Sequence, residues 1–188
     1  MFSRYTALCA TKNKQALPAL QVNKTYSGRS VSVADGDTFT LLTEDKVSYN
    51  IRLEGIDAPE KGMPYYKVSK KYLAQLLLEK KLECMVKKVD QYGRYVGRIY
   101  YIENGRSLDV SKEMLRAGLA WHYKQYNKET DLSALEIEAR QLKKGLWVET
   151  KPIAPWMVRK YRRAGISDAR FRQLQQENSP FIAPYLAP

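Results

Sequence analysis

Between residues 26 and 57, apolar and polar positions alternate in three runs, SVSVA, TFTLL and VSYNIRL. In the third, Val47, Tyr49, Ile51 and Leu53 fall on one face and Ser48, Asn50, Arg52 and Glu54 on the other, as in a half-buried strand. The alternation predicts a three-stranded antiparallel meander. Its turns are marked by Asp35-Gly36 and by the polar cluster Thr43-Glu44-Asp45-Lys46. After Pro64 the period lengthens: Val68, Tyr72, Leu73, Leu76 and Leu77 recur at three- and four-residue spacings. That spacing, with lysines on the opposite face, predicts an amphipathic helix of about four turns. Strand character returns in residues 82–86 and 95–102, joined by the turn Asp90-Gln-Tyr-Gly93. Two shorter helices are expected next, over 108–117 with a stop at Gly118, and over 132–144 with the stripe Leu135, Ala139, Leu142 and a stop at Gly145.

Three strands, a helix, two strands and two helices make an α+β arrangement, mainly β, whose five strands can curl into a small barrel. Beyond Trp147, Pro152-Ile-Ala-Pro-Trp156 reads as a break in regular structure, and the remainder as an extension packed loosely on the domain. The organisation is therefore a basic tail over 1–24, one domain over 25–149 and a basic extension over 150–188.

Charge supports this division. Of 32 basic and 20 acidic residues, giving a net +12, the first 24 positions hold four basic residues and no acid, and the last 38 hold seven basic and two acidic. The middle is nearly balanced while the ends are basic, which favours a polyanionic partner. Cys84 sits in an apolar strand-like run and reads as a buried thiol, while Cys9 lies in the tail, so the pair gives no indication of a structural disulfide. One histidine and no CxxC pattern argue against a nitrogen- or sulfur-ligated metal and leave only an oxygen-bound one. No apolar stretch nears the length of a membrane span and the N-terminus lacks the apolar core of a secretory signal, so no membrane insertion is expected and the compartment stays open.

The candidate chemistry lies in three turns. Asp35-Gly-Asp37 alone is a hairpin signal, and it is not an EF-hand, because Thr40 and Lys46 stand where that loop needs glycine and glutamate. Arg52-Leu-Glu-Gly-Ile-Asp57-Ala-Pro-Glu60 ends a strand with a basic residue and several acids, in which Arg52 and Glu54 could form an ordinary surface pair. Asp90-Gln-Tyr-Gly-Arg94 adds a charged turn where a hairpin returns the chain towards the first two.

Taken together, ADGDTF, RLEGIDAPE, DQYGRYVGRIY, EMLRAGLAWHY and EARQLKKGLW, in that order, resemble the thermonuclease, or staphylococcal-nuclease-like, family from about residue 26 to Trp147. The resemblance implies an OB-fold five-stranded β-barrel with three α-helices. It also implies a calcium-dependent endonuclease of low sequence specificity, acting on DNA and RNA as a monomer and cutting the bond to the 5′ oxygen to leave 3′-phosphates. Carried over residue by residue, Asp37 and Asp57 match the calcium-binding carboxylates and Ala58 a position whose backbone carbonyl completes the protein ligands. Glu60 matches the residue that activates the attacking water, and Arg52 and Arg94 the two arginines that grip the phosphate. Tyr92 and Tyr123 are the expected substrate contacts, with Trp121 and Tyr126 as further stacking candidates, although Trp121 after a helix end reads first as core. His122 reads as a hydrogen-bonded side chain, not a catalyst. Tyr66 and Ser69 depart from the glycine and alanine common at the family's helix entrance, and Gln91 from a phosphate-binding lysine. The alternative is a catalytically lapsed OB module that binds nucleic acid or protein, against which stand all five of Asp37, Asp57, Glu60, Arg52 and Arg94.

Overall fold

A computed structural model of the chain describes residues 18–183. The predicted meander is present as β1 (Thr25–Val33), β2 (Thr38–Thr43) and β3 (Ser48–Leu53), each antiparallel to the next. A two-residue strand, β4 (Ile56–Asp57), leads through a loop to α1 (Tyr66–Leu77). The second hairpin is β5 (Leu82–Val89) and β6 (Tyr95–Glu103). Strand β5 pairs with β1, and β6 pairs in parallel with β3, so the five strands close on themselves. Closure leaves no long edge unpaired among these strands and puts Phe39, Leu41, Ile51, Leu53, Val86 and Ile99 inside. The alternation of Tyr49, Ile51 and Leu53 with Ser48 and Asn50 is the in–out pattern of the barrel wall. This is the OB-type α+β barrel expected.

Four details differ from the sequence reading. Leu108 belongs to a strand, β7 (Arg106–Asp109), and α2 (Val110–Arg116) starts after it, because the Asp109 side chain caps it by accepting the Lys112 N–H. In α3 (Thr130–Gln141), after the short β8 (Trp121–His122), the buried face is Leu132, Glu136 and Ala139, whereas Leu142 is exposed. The helix ends early because Lys143 already takes a left-handed turn (φ 50°), two residues before Gly145, which is left-handed as well (φ 52°). Val68 of α1 likewise lies outside the buried face, which is Ser69, Leu73, Leu76 and Leu77.

The fourth difference concerns the C-terminal segment, which is not loosely packed. It forms α4 (Pro155–Arg163) and α5 (Asp168–Gln176), raising the described α-helices to five. Pro155 sits at the start of α4, where its missing N–H would have had no helical partner, so it begins the helix instead of breaking it. Met157, Val158, Tyr161, Phe171 and Leu174 form a second core with Trp121, Trp147 and Met63 of the barrel domain. Residues 18–24 also pack on the barrel, where Leu20 is buried and Tyr49 donates to the Pro18 carbonyl at 2.7 Å. Cys84 is buried and free, its thiol pushed up to about 12 by burial; Cys9 and most of the basic N-terminal tail lie outside the described residues. Among the described residues no helix is long and apolar enough to cross a membrane.

The turn at Gly36 illustrates how tightly the barrel end is built. A Cβ there would lie 2.0 Å from Ser69 Oγ of α1 and 2.7 Å from the Ala58 Cβ. Ser69 is fully buried and donates to the Leu119 carbonyl at 2.8 Å, so it cannot swing away without stranding a polar group. Gly36→Ala is therefore expected to destabilise the protein by about 1–3 kcal/mol, as overpacking does elsewhere, measured as a lower urea midpoint at unchanged slope.

Candidate active site

Strand register assembles the site. Thr38 of β2 is the cross-strand partner of Arg52 on β3, so Asp37, one residue earlier, lies beside that arginine. The parallel closure pairs Ile51 with Tyr95 and Arg52 with Val96, which brings Arg94, just ahead of β6, to the same end of the barrel. Asp57 arrives on β4, held in place by pairing with Trp121. Glu60 follows three residues later in the loop before α1.

Arg52 is the hub. Its Nη1 pairs with Asp37 Oδ1, and its Nη2 donates to Asp57 Oδ1 at 2.7 Å and to the Ile56 carbonyl at 3.3 Å. One guanidinium thus joins two carboxylates that are 4 % and 0 % exposed. A guanidinium has five N–H groups, more than these three contacts use, so it can hold the acids and still donate to a further anion. Glu54, its neighbour on the strand, points elsewhere and pairs with Arg98 at 3.7 Å, so the surface pair suggested by sequence does not form.

Asp37 is satisfied on both oxygens: Oδ2 accepts the Ala58 N–H at 2.8 Å and Oδ1 accepts the Thr38 hydroxyl at 2.9 Å. Burial alone would raise its pKa, but the Arg52 charge and these hydrogen bonds outweigh burial and hold it below the usual carboxylate range. Asp35 has the opposite fate. Burial and the adjacent Asp37 charge push it up to about 6, while it accepts the Asp37 N–H at 3.0 Å and shapes the turn. Burial also pushes Asp57 upward, opposed by hydrogen bonds from its arginine partners.

Arg94 reaches the same cluster indirectly. Its Nε and Nη2 each meet Asp90 Oδ2 at 2.8 Å, and its Nη1 donates at 3.3 Å to the Thr38 hydroxyl that in turn donates to Asp37. Tyr92 stands 72 % exposed beside it, its ring 5.5 Å from the Arg94 guanidinium carbon. The structure therefore brings Asp37, Asp57, Ala58, Arg52 and Arg94 together, with Tyr92 at the rim. Ala58 enters the cluster through its N–H.

The aromatic residues sort differently. Tyr123 stacks on Trp156 of α4, centroids 5.3 Å apart and rings 5° from parallel, and meets Tyr126 edge-on at 4.8 Å. Trp121 is core, packed edge-on against Trp147 and Trp156. His122 is buried, bonded to Ser133 Oγ at 2.9 Å and Asn127 Oδ1 at 3.1 Å, as a structural histidine would be.

Sequence reasoning missed one residue at the centre. Arg159 of α4 donates from Nη2 to Asp57 Oδ2 at 2.6 Å and from Nη1 to Asp57 Oδ1 at 3.2 Å and Glu60 Oε1 at 2.6 Å. The available signal was the spacing of Met157, Val158 and Tyr161, an apolar helical stripe that places Trp156 and Arg159 together on the neighbouring face.

The carboxylate oxygens of the cluster are the atom type a hard cation takes, and guanidinium nitrogens contact them here: Asp57 Oδ1 accepts from Arg52 and Arg159, and Asp57 Oδ2 from Arg159. Among the described residues no group of three or more His, Cys, Asp or Glu side chains forms a ready-made metal cage. What the site offers is two carboxylates bridged by arginine, a basic surround and a third carboxylate on a loop.

The sequence profile described as "Staphylococcal nuclease homologue" matches residues 50–149, just over half of the chain. The "Staphylococcal-like nuclease CAN1" of Arabidopsis thaliana is 37% identical over 162 residues, covering 85% of this chain and 49% of the plant protein. An "Uncharacterized endonuclease" of Escherichia coli O157:H7 is 40% identical over 132 residues, 70% of this chain and 84% of that protein. One of the same description from Haemophilus influenzae is 34% identical over 139 residues, 74% and 76% of the two chains. The chain thus spans about half the length of the plant relative and most of the length of the bacterial ones.

Proposed function

The chain belongs to the family of staphylococcal nuclease homologues, and on that premise we propose that it is a calcium-dependent endonuclease of low sequence specificity, hydrolysing phosphodiester bonds of DNA and RNA. The observation that carries the reading is the Arg52 guanidinium between buried Asp37 and Asp57, with Arg94 at the same barrel end and Glu60 hydrogen-bonded, through Arg159, to the same Asp57 cluster. A binding module has no physical need to bury two acids around an arginine and set a further acid beside them.

Asp37 and Asp57, with the Ala58 carbonyl, are the proposed calcium donors. When bound, calcium supplies positive charge that polarises a phosphoryl oxygen and a water. Glu60 accepts the proton of the attacking water as its oxygen bonds to phosphorus. The phosphorus–5′-oxygen bond breaks, the leaving 5′-oxygen takes a proton from solvent water, and the products are a 3′-phosphate and a 5′-hydroxyl. Negative charge grows on the phosphoryl oxygens during this step, and Arg52 and Arg94 hold it through paired N–H donors. Tyr92, exposed beside Arg94, offers a ring to a base without reading its identity.

Digestion of plasmid, single-stranded DNA and RNA, with calcium or with excess chelator, tests the proposal. Cleavage of all three in calcium and none in chelator is expected. Binding of the substrates without cleavage in either condition would replace the hydrolase by a lapsed module.

A further inference from the structure

We propose that Arg159 is a third arginine of the active site, a positioning residue that clamps Glu60 against Asp57, so that helix α4, beyond the family match, belongs to the catalytic apparatus. The inference rests on the proposed roles of Glu60 as general base and Asp57 as calcium donor.

Geometry is the first support. A general base works only if its oxygen is held near the water it deprotonates, and Glu60 sits on a loop with three side-chain torsions to fix. Arg159 Nη1 holds Glu60 Oε1 at 2.6 Å while Nη2 holds Asp57 Oδ2 at the same distance. The planar fork thus sets the spacing between the two carboxylates, which a lysine, a point charge on a flexible stem, cannot do.

The clamp is itself anchored. Val158 and Tyr161 flank Arg159 on α4 and are fully buried in the second core. Trp156, one turn earlier, stacks on Tyr123. Arg162 donates to the Lys61 carbonyl at 2.8 Å, and the Tyr161 hydroxyl meets Met63 Sδ at 3.6 Å. Helix α4 therefore grips the Glu60 side chain and also the loop residues that follow it, fixing the backbone as well as the carboxylate. Arg162 is tied in turn to Asp168 of α5 at 2.7 Å, so the second helix braces the first.

The test uses the full chain as wild type, Arg159→Ala and Arg159→Lys. Three readouts are steady-state cleavage of a labelled single-stranded oligonucleotide in calcium, binding of the same oligonucleotide in chelator by anisotropy, and thermal unfolding. Arg159→Ala is expected to lower kcat by about 100-fold, the scale of a misplaced catalytic group, with KM and oligonucleotide binding little changed. Arg159→Lys should recover only a minor part. Millimolar guanidinium should restore Arg159→Ala several-fold where equal sodium chloride does not, a rescue that a purely structural role would not show. If Arg159→Ala fails to unfold cooperatively, the kcat of Arg159→Lys decides. Variants as active as an active wild type would overturn the clamp alone, and variants more active would make Arg159 a plug over the site instead. A loss falling wholly on KM, or one without guanidinium rescue, also overturns it. A wild type that cleaves nothing overturns the hydrolase reading and the clamp together.

Discussion

Glu60→Gln is expected to slow phosphodiester cleavage by about 10²–10⁴-fold, the range that a positioned general base contributes. The amide keeps the shape and one hydrogen-bonding oxygen for Arg159, so the fold and oligonucleotide binding should be retained while proton acceptance is lost. The measurement is single-turnover cleavage with binding by anisotropy alongside. Equal rates for wild type and variant would remove Glu60 from the reaction even if the protein cleaves.

Arg52 carries the second large effect, and two substitutions separate its two duties. Arg52→Ala leaves Asp37 and Asp57, both almost wholly buried, without the charge between them, and should destabilise the fold by about 3–5 kcal/mol. Arg52→Lys keeps a charge near the acids but cannot reach both and still present paired donors to a phosphate. It should fold with a modest loss of stability yet cleave about 10²–10³-fold more slowly, as when an oxyanion donor is removed. Urea unfolding read beside kcat distinguishes the two: a lysine variant that is stable and fast would deny Arg52 any role beyond neutralising the acids.

Why the barrel was legible and the C-terminal helices were not has a physical explanation. Alternation such as Tyr49, Ile51, Leu53 records which face is buried, and turns such as Asp35-Gly36 sit where only polar, small residues fit, so strands and register follow from local chemistry. The motif-bearing turns are legible for the same reason, because each acid or arginine stands at a strand end. The start of α2 was harder, since Leu108 suits a strand or a helix and only the Asp109 cap decides. The end of α3 depended on Lys143 adopting a left-handed conformation that a non-glycine residue rarely takes. In the segment after Trp147, Pro155, which reads as a breaker, in fact starts a helix. Its burial depends on Trp121, Trp147 and Met63, contacts distant in sequence that no local pattern reports. Arg159 was lost with it: a lone arginine in a basic tail looks like solvated charge until the partner carboxylates, roughly 100 positions away, are placed beside it.

That arrangement also redistributes responsibility within the chain. The barrel supplies Asp37, Arg52, Asp57 and Arg94 from four strand ends, and the outer helix supplies the cation on Glu60. A truncation after residue 149 would expose Trp121 and Trp147 and free Glu60 at once, so the loss of either packing or positioning is better tested by point substitution in the full chain.

The most direct test of the central claim, that this constellation hydrolyses a phosphodiester at the 5′ oxygen, is cleavage of a defined single-stranded oligonucleotide in calcium and ¹⁸O-water, followed by mass spectrometry of both fragments. Incorporation of one ¹⁸O into a 3′-phosphate, with an unlabelled 5′-hydroxyl on the other fragment, is the result expected. An intact oligonucleotide, or label in a 5′-phosphate, would contradict the proposed roles of Glu60, Arg52 and Arg94.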